Sequence, residues 1–98
     1  MTEGHLYKLS RQDYRNNGSL VGGFLLGGDT VSVQVLGSKT EPDYQSDMID
    51  MTNGTPLAVA GLHSFDILPE YICIAGTVTS IDILNYEAED LGALAASE

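Results

Sequence analysis

The stretch 64–86, SFDILPEYICIAGTVTSIDILNY, constrains the fold more than any other part of the chain. It reads as three short strands punctuated by Leu68-Pro69 and by Ala75-Gly76-Thr77. Phe65 and Ile67 alternate with Ser64 and Asp66; Ile72 and Ile74 alternate with Tyr71, Cys73 and Ala75; Ile81 and Ile83 alternate with Ser80 and Asp82. A period of two sends successive side chains to opposite faces, so each segment offers one apolar face to a core. Residues 30–36 show the pattern most cleanly, with Val31, Val33 and Val35 on one side and Thr30, Ser32 and Gln34 on the other. The run 19–26, SLVGGFLL, reads as a strand with interior glycines, which mark a bulge or a close backbone approach. Gly27-Gly28-Asp29 is expected to join these two strands as a β-hairpin. Shorter strands are expected at 5–9, with Tyr7 and Leu9 on one face, around Met48, Ile49 and Met51, and at 56–60, with Leu57 and Val59 on one face. About seven or eight short strands, with a turn about every 8–12 residues, are the pattern of an all-β fold: an antiparallel β-sandwich, jelly roll or small barrel.

A chain of 98 residues forms one domain with room for a modest core. Charge is the strongest compositional signal: 14 acidic residues face 4 basic ones, a formal charge of −10. Such a surface repels nucleic acid, whose binding depends on Lys and Arg at phosphates, and it repels an anionic membrane for the same reason. Lys8, Arg11 and Arg15 lie close together near the start of the chain, Lys39 is the last base, and 41–98 has none. Two readings follow: a soluble, self-repelling surface, or a basic arm that docks on an acidic partner. The opening MTEGHLYKLSRQD has no apolar h-region of the kind a secretion signal needs, and no run approaches the apolar length of a membrane helix.

The residues that carry catalytic or metal chemistry are sparse. His5 and His63 lie far apart and outside any H-x-x-x-H spacing, and Cys73 is the single cysteine, so no intrachain disulfide forms. Cys73 reads as a small buried hydrophobe in an alternating strand. Glu41, Asp43, Asp47 and Asp50 cluster in the irregular stretch 37–51, but without the alternation and glycine of a calcium loop they read as a solvated acidic loop. Gly22-Gly23 and Gly27-Gly28 stand between strands, where a phosphate cradle has no helix to open. Tyr44, in the acidic loop, is the best candidate for an exposed ring of the kind a glycan platform uses. No catalytic, cofactor-binding or metal residue is therefore assigned, and the chain is read as a non-enzyme.

The segments VSVQVLGSKTEPDY (31–44) and LHSFDILPEYICIAG (62–76) resemble small jelly-roll modules, in which a strand reads V-x-V-x-G-S and a later one an aromatic residue, Pro and then Tyr-Ile-x-Ile. Galactose-binding-like and discoidin-like domains share this cadence, as do small β-rich proteins of tailed bacteriophage virions, including capsid decoration (cement) proteins. The discoidin-like pattern has a tryptophan and an arginine where this chain has Tyr44 and Cys73. The resemblance to the virion branch implies a structural protein on the outer surface of a phage head, made in the host cytoplasm, commonly a trimer, that contacts the major capsid protein or other virion subunits. The alternatives are a carbohydrate-binding module and another head–tail or tail component. On this reading 1–17 is an N-terminal arm, 18–87 the β-sandwich domain and 88–98 a flexible acidic tail. The expected partner-binding residues are those of the arm: Leu6, Tyr7 and Leu9 as apolar anchors, and Lys8, Arg11 and Arg15 as cations.

Overall fold

A computed structural model describes residues 1–11, 22–65, 68–84 and 86–98. The elements are β1 (His5–Arg11), β2 (Gly22–Gly27), β3 (Ser32–Ser38), a 3-10 turn (Gln45–Asp47), β4 (Ile49–Asp50), β5 (Gly61–Phe65), β6 (Tyr71–Thr77), β7 (Ser80–Leu84) and β8 (Tyr86–Ala93). They form two sheets, a larger one in the order β4-β3-β6-β1-β8 and a smaller one in the order β5-β2-β7. Every pairing is antiparallel. The protein is thus an all-β, sandwich-like fold.

The alternating apolar faces meet between the sheets. Tyr7 and Leu9 of β1, Val33 and Val35 of β3, and Ile72 and Ile74 of β6 come from the larger sheet, and Phe24, Leu26 and Ile81 come from the smaller one. Val31 and Leu68 complete the buried cluster, with Phe65 and Ile83 packed half-buried at its margin. Phe24 and Phe65 meet edge to face at 5.8 Å between ring centroids, a favoured geometry for an aromatic pair.

The expected hairpin between β2 and β3 does not form. The two strands belong to opposite sheets, and the chain crosses between them through Gly28, whose φ of 136° is open to glycine. Both strands carry an apolar stripe, and facing each other across the core buries both stripes at once. The same crossing recurs along the chain: every connection except that from β3 to β4 changes sheet. Leu57 contributes one isolated bridge to Val33, and Val59 stands exposed, so 56–60 does not form the expected strand.

Two further expectations are corrected. Residues 5–11 are not part of a separate arm: β1 lies inside the larger sheet, between β6 and β8. The alternation HLYKLS explains this, because Tyr7 and Leu9 fill the core while Leu6 packs on the sheet's opposite face. Nor is 88–98 a free tail. β8 adds to the far side of β1, and beyond it the Gln45 and Ser46 amides donate to the Ala95 and Ala96 carbonyls at 2.8 and 2.9 Å. Backbone pairing with β1 overrides the weak strand propensity of EAEDLGA. Its register slips opposite His5 and Tyr7, a bulge made possible by Gly92 at φ 98°. Arg15 and the rest of 12–17 lie outside the described residues.

Candidate docking surface

The two sheets treat their outer faces differently. On the larger sheet, Leu36, Cys73 and Leu6 stand side by side across β3, β6 and β1, as the pairings Leu36↔Cys73 and Leu6↔Cys73 require. Met48 from the loop before β4 and Leu94 from beyond β8 close over them, and Tyr71 completes a second buried cluster. The cover is tied down by hydrogen bonds: the Leu94 amide donates to the Gly4 carbonyl at 2.9 Å, and the Gln45 side-chain amide donates to the Leu94 carbonyl at 2.9 Å.

On the smaller sheet the corresponding row is Leu62, Leu25 and Asp82, across β5, β2 and β7. The next row is Ser64, Gly23 and Leu84, and beyond Leu25 lie Gly27 and Ser80. Leu25, Leu62 and Leu84 are 45%, 60% and 38% exposed. Gly23 keeps the middle of the face low. A Cβ there would sit 2.9 Å from the His63 carbonyl oxygen and 3.5 Å from Leu62 Cδ1, so the Leu62 side chain leans over the glycine. The result is a flat apolar patch with one carboxylate set in it.

Of the expected arm residues, the three apolar anchors are buried in this chain's own packing. Leu6, Tyr7 and Leu9 are 4%, 4% and 7% exposed, and the Tyr7 hydroxyl accepts the Thr2 amide at 2.6 Å. Lys8 is exposed and lies 3.8 Å from Glu70, a loose surface pair of small energetic weight. The Arg11 backbone pairs with Tyr86; Arg15 lies outside the described residues. Of the six, the structure therefore groups three in the interior and leaves Lys8 at the surface.

The other candidates also have structural roles. The Asp50 carboxylate caps the turn after β4: it accepts the Thr52 hydroxyl, the Thr52 amide at 2.9 Å and the Gly54 amide at 3.0 Å. Those bonds, the Thr52 hydroxyl first, hold its pKa below the usual carboxylate value. Among the described residues no group of three or more His, Cys, Asp or Glu side chains is gathered to hold a metal ion. His63, in the middle of β5, has its Nε2 2.6 Å from the carbonyl of Val59, which precedes the strand. His5 Nδ1 lies 3.0 Å from Asp90, whose pKa is lowered first by the Gly92 amide and then by His5. Cys73 is fully buried, and burial pushes its thiol up to about 11, so it is inert as a nucleophile near neutrality. Tyr44 is half-buried, and among the described residues every Tyr and Phe is buried or half-buried.

Periodicity reasoning passed over Leu25, Leu62 and Leu84. A signal was present in Phe24-Leu25-Leu26: three consecutive apolar residues in a strand make both of its faces apolar, and the second face needs a cover. No protein-family model, curated protein or solved structure matches the chain.

Proposed function

We propose that the chain is a non-enzymatic structural module that attaches to a larger protein assembly, and that this assembly is the head of a tailed bacteriophage, on which it acts as a capsid decoration (cement) protein. The observation that carries this reading is the outer face of the smaller sheet, which has no cover among the described residues. The protein spends its own loop and C-terminal segment on covering the larger sheet, and it leaves Leu25, Leu62 and Leu84 for another surface. A cement protein works by adding buried area across junctions between shell subunits. A single small contact is weak, but copies joined as the expected trimer engage several junctions of a shell at once and gain affinity through effective concentration. The likeness of 31–44 and 62–76 to small virion jelly rolls supports the same reading, as does the all-β sandwich itself.

An antibody raised against the protein, applied to gradient-purified virions and to the soluble fraction of the same lysate, tests this. The signal is expected to migrate with the heads, and immunogold labelling is expected to decorate their outer surface. A signal confined to the soluble fraction overturns the proposal.

A further inference from the structure

We infer that the outer face of the smaller sheet docks a protein surface of one particular chemistry: apolar side chains rimmed by lysine or arginine. The inference rests on the reading that this face attaches the module to something larger, and it names what that surface must look like. Three observations lead to it. The first is the pattern of the face itself, with Leu62, Leu25 and Leu84 around Gly23 and with Asp82 directly beside Leu25. A partner that buries the leucines also covers Asp82, and a covered carboxylate needs a cation or a hydrogen-bond donor.

The second is charge. The strands β2, β5 and β7 contain no Lys or Arg, and the turn leaving β2 adds Asp29. The chain as a whole carries −10. A second copy on this face would therefore bring Asp82 against an acidic surface and offer no cation from its own face. A basic rim on a different protein is attracted from a distance and pairs with Asp82 on contact.

The third is size. Three strands of five or six residues present a face of roughly 17 by 14 Å, about 240 Å², from the usual rise and strand spacing. A stable two-body interface needs about 800 Å² from each partner. Face-to-face pairing of two copies falls well short, whereas a larger surface that surrounds the patch extends the contact beyond it. Flatness matters here too. With no side chain at Gly23 or Gly27, Leu25 is the one side chain that the middle strand raises toward a partner on this face.

The test uses the whole protein and two labelled amphipathic peptides of identical leucine pattern, one with lysines and one with glutamates at the polar positions, followed by fluorescence anisotropy. The variants are the triple substitution Leu25→Ser, Leu62→Ser and Leu84→Ser, the single Asp82→Asn, and Ile49→Ser as a control, because Ile49 is 73% exposed away from this face. The leucine–lysine peptide is expected to bind the parent and to lose about tenfold or more in the triple variant. Asp82→Asn is expected to weaken it about two- to threefold, and Ile49→Ser to leave it unchanged. Unchanged binding in the triple variant, equal loss in the Ile49→Ser control, or equal binding of the leucine–glutamate peptide overturns the inference. So does self-association of the parent that the triple variant abolishes, which makes a second copy the occupant. A rise in proteolysis within 12–21 in the triple variant, with peptide binding unaltered, makes the chain's own segment the occupant and also overturns it. No virion enters this experiment, so its failure is separable from failure of the decoration reading.

Discussion

The outer faces of the two sheets start from similar sequence and end in opposite states. Across β3, β6 and β1 the row Leu36, Cys73 and Leu6 is roofed by Met48 and Leu94; across β5, β2 and β7 the row Leu62, Leu25 and Asp82 has no roof among the described residues. The larger sheet can afford a strongly apolar outer face because the loop from β3 to β4 and the segment after β8 bring their own apolar residues and hydrogen-bond to one another. The smaller sheet's outer face mixes leucine with glycine, serine and one aspartate. That composition tolerates water while offering an apolar contact to a partner. An apolar second face on a strand is therefore informative in itself: its cover lies either later in the same chain or in another molecule.

The sharpest way to break this comparison is to truncate matching leucines on the two faces. Leu6→Ala removes a side chain from a closed cluster and is expected to cost about 2–4 kcal/mol, transfer energy plus cavity. Leu62→Ala alters a side chain already largely in water and is expected to stay within about 0.5 kcal/mol. Ile74→Ala, in the core between the sheets, sets the upper reference at about 2–5 kcal/mol. Urea unfolding monitored by circular dichroism measures all three. Equal losses for Leu6→Ala and Leu62→Ala would mean that the smaller sheet's outer face is covered after all.

The alternation in 30–36, 71–75 and 80–84 was enough to identify the strands and the side of each that faces the core between the sheets: Val33, Val35, Ile72, Ile74 and Ile81 are buried there and Ile83 is half-buried, whereas the other side of β6, with Tyr71 and Cys73, is buried as well. Periodicity says which side of a strand is apolar, but not which sheet the strand joins, and so β2 and β3 looked like a hairpin when each faces the other across the core. β8 was illegible for a different reason. EAEDLGA lacks β-branched residues, and its strand state comes from pairing with β1, a contact across almost the whole chain. The strand at 5–9, with Tyr7 and Leu9 on one face, was legible; its place inside the larger sheet was not, because its polar neighbours in sequence suggested an arm. The candidate surface was legible only in part: Leu25 sits in an apolar triplet, but its alignment with Leu62 and its proximity to Leu84 depend on register, which a single sequence does not contain.

Cys73 gives a chemical reporter of the covered face. Its thiol is pushed from 9.0 to about 11 by burial beneath that cover. At pH 8 the thiolate fraction falls about 100-fold for such a shift, and alkylation by iodoacetamide is expected to slow at least as much relative to the urea-unfolded chain. Leu94→Asp, which opens the cover, is expected to restore most of the rate while the far-ultraviolet circular dichroism stays that of a β protein. The sign of the pH dependence follows. Because the folded pKa is the higher one, the thiol favours the fold fully below about 9, and that contribution disappears as pH rises through about 11. Cys73→Val should flatten this part of the alkaline limb; an unchanged slope would assign the limb to other groups.

The smallest expected effect concerns the seam where β1 meets β8. Asp90 accepts the Gly92 amide at 2.8 Å and lies 3.0 Å from His5 Nδ1, and both contacts favour its ionised form. Its folded pKa is therefore below its unfolded one. The stabilising contribution is present above the unfolded carboxylate value and is lost as pH falls through the depressed folded value. Asp90→Asn keeps the shape and an acceptor for the Gly92 amide but removes the titration. Thermal unfolding between neutral pH and about pH 3 should show the parent losing slightly more stability than the variant across the acid range, with the difference shrinking in high salt because the site is exposed. Leu62→Ala, on the exposed outer face of the smaller sheet, should leave this acid slope unchanged, since no described contact links Leu62 to the seam. Identical acid slopes for the parent and Asp90→Asn would show that the bulge at Gly92, not the carboxylate, holds β8 against β1.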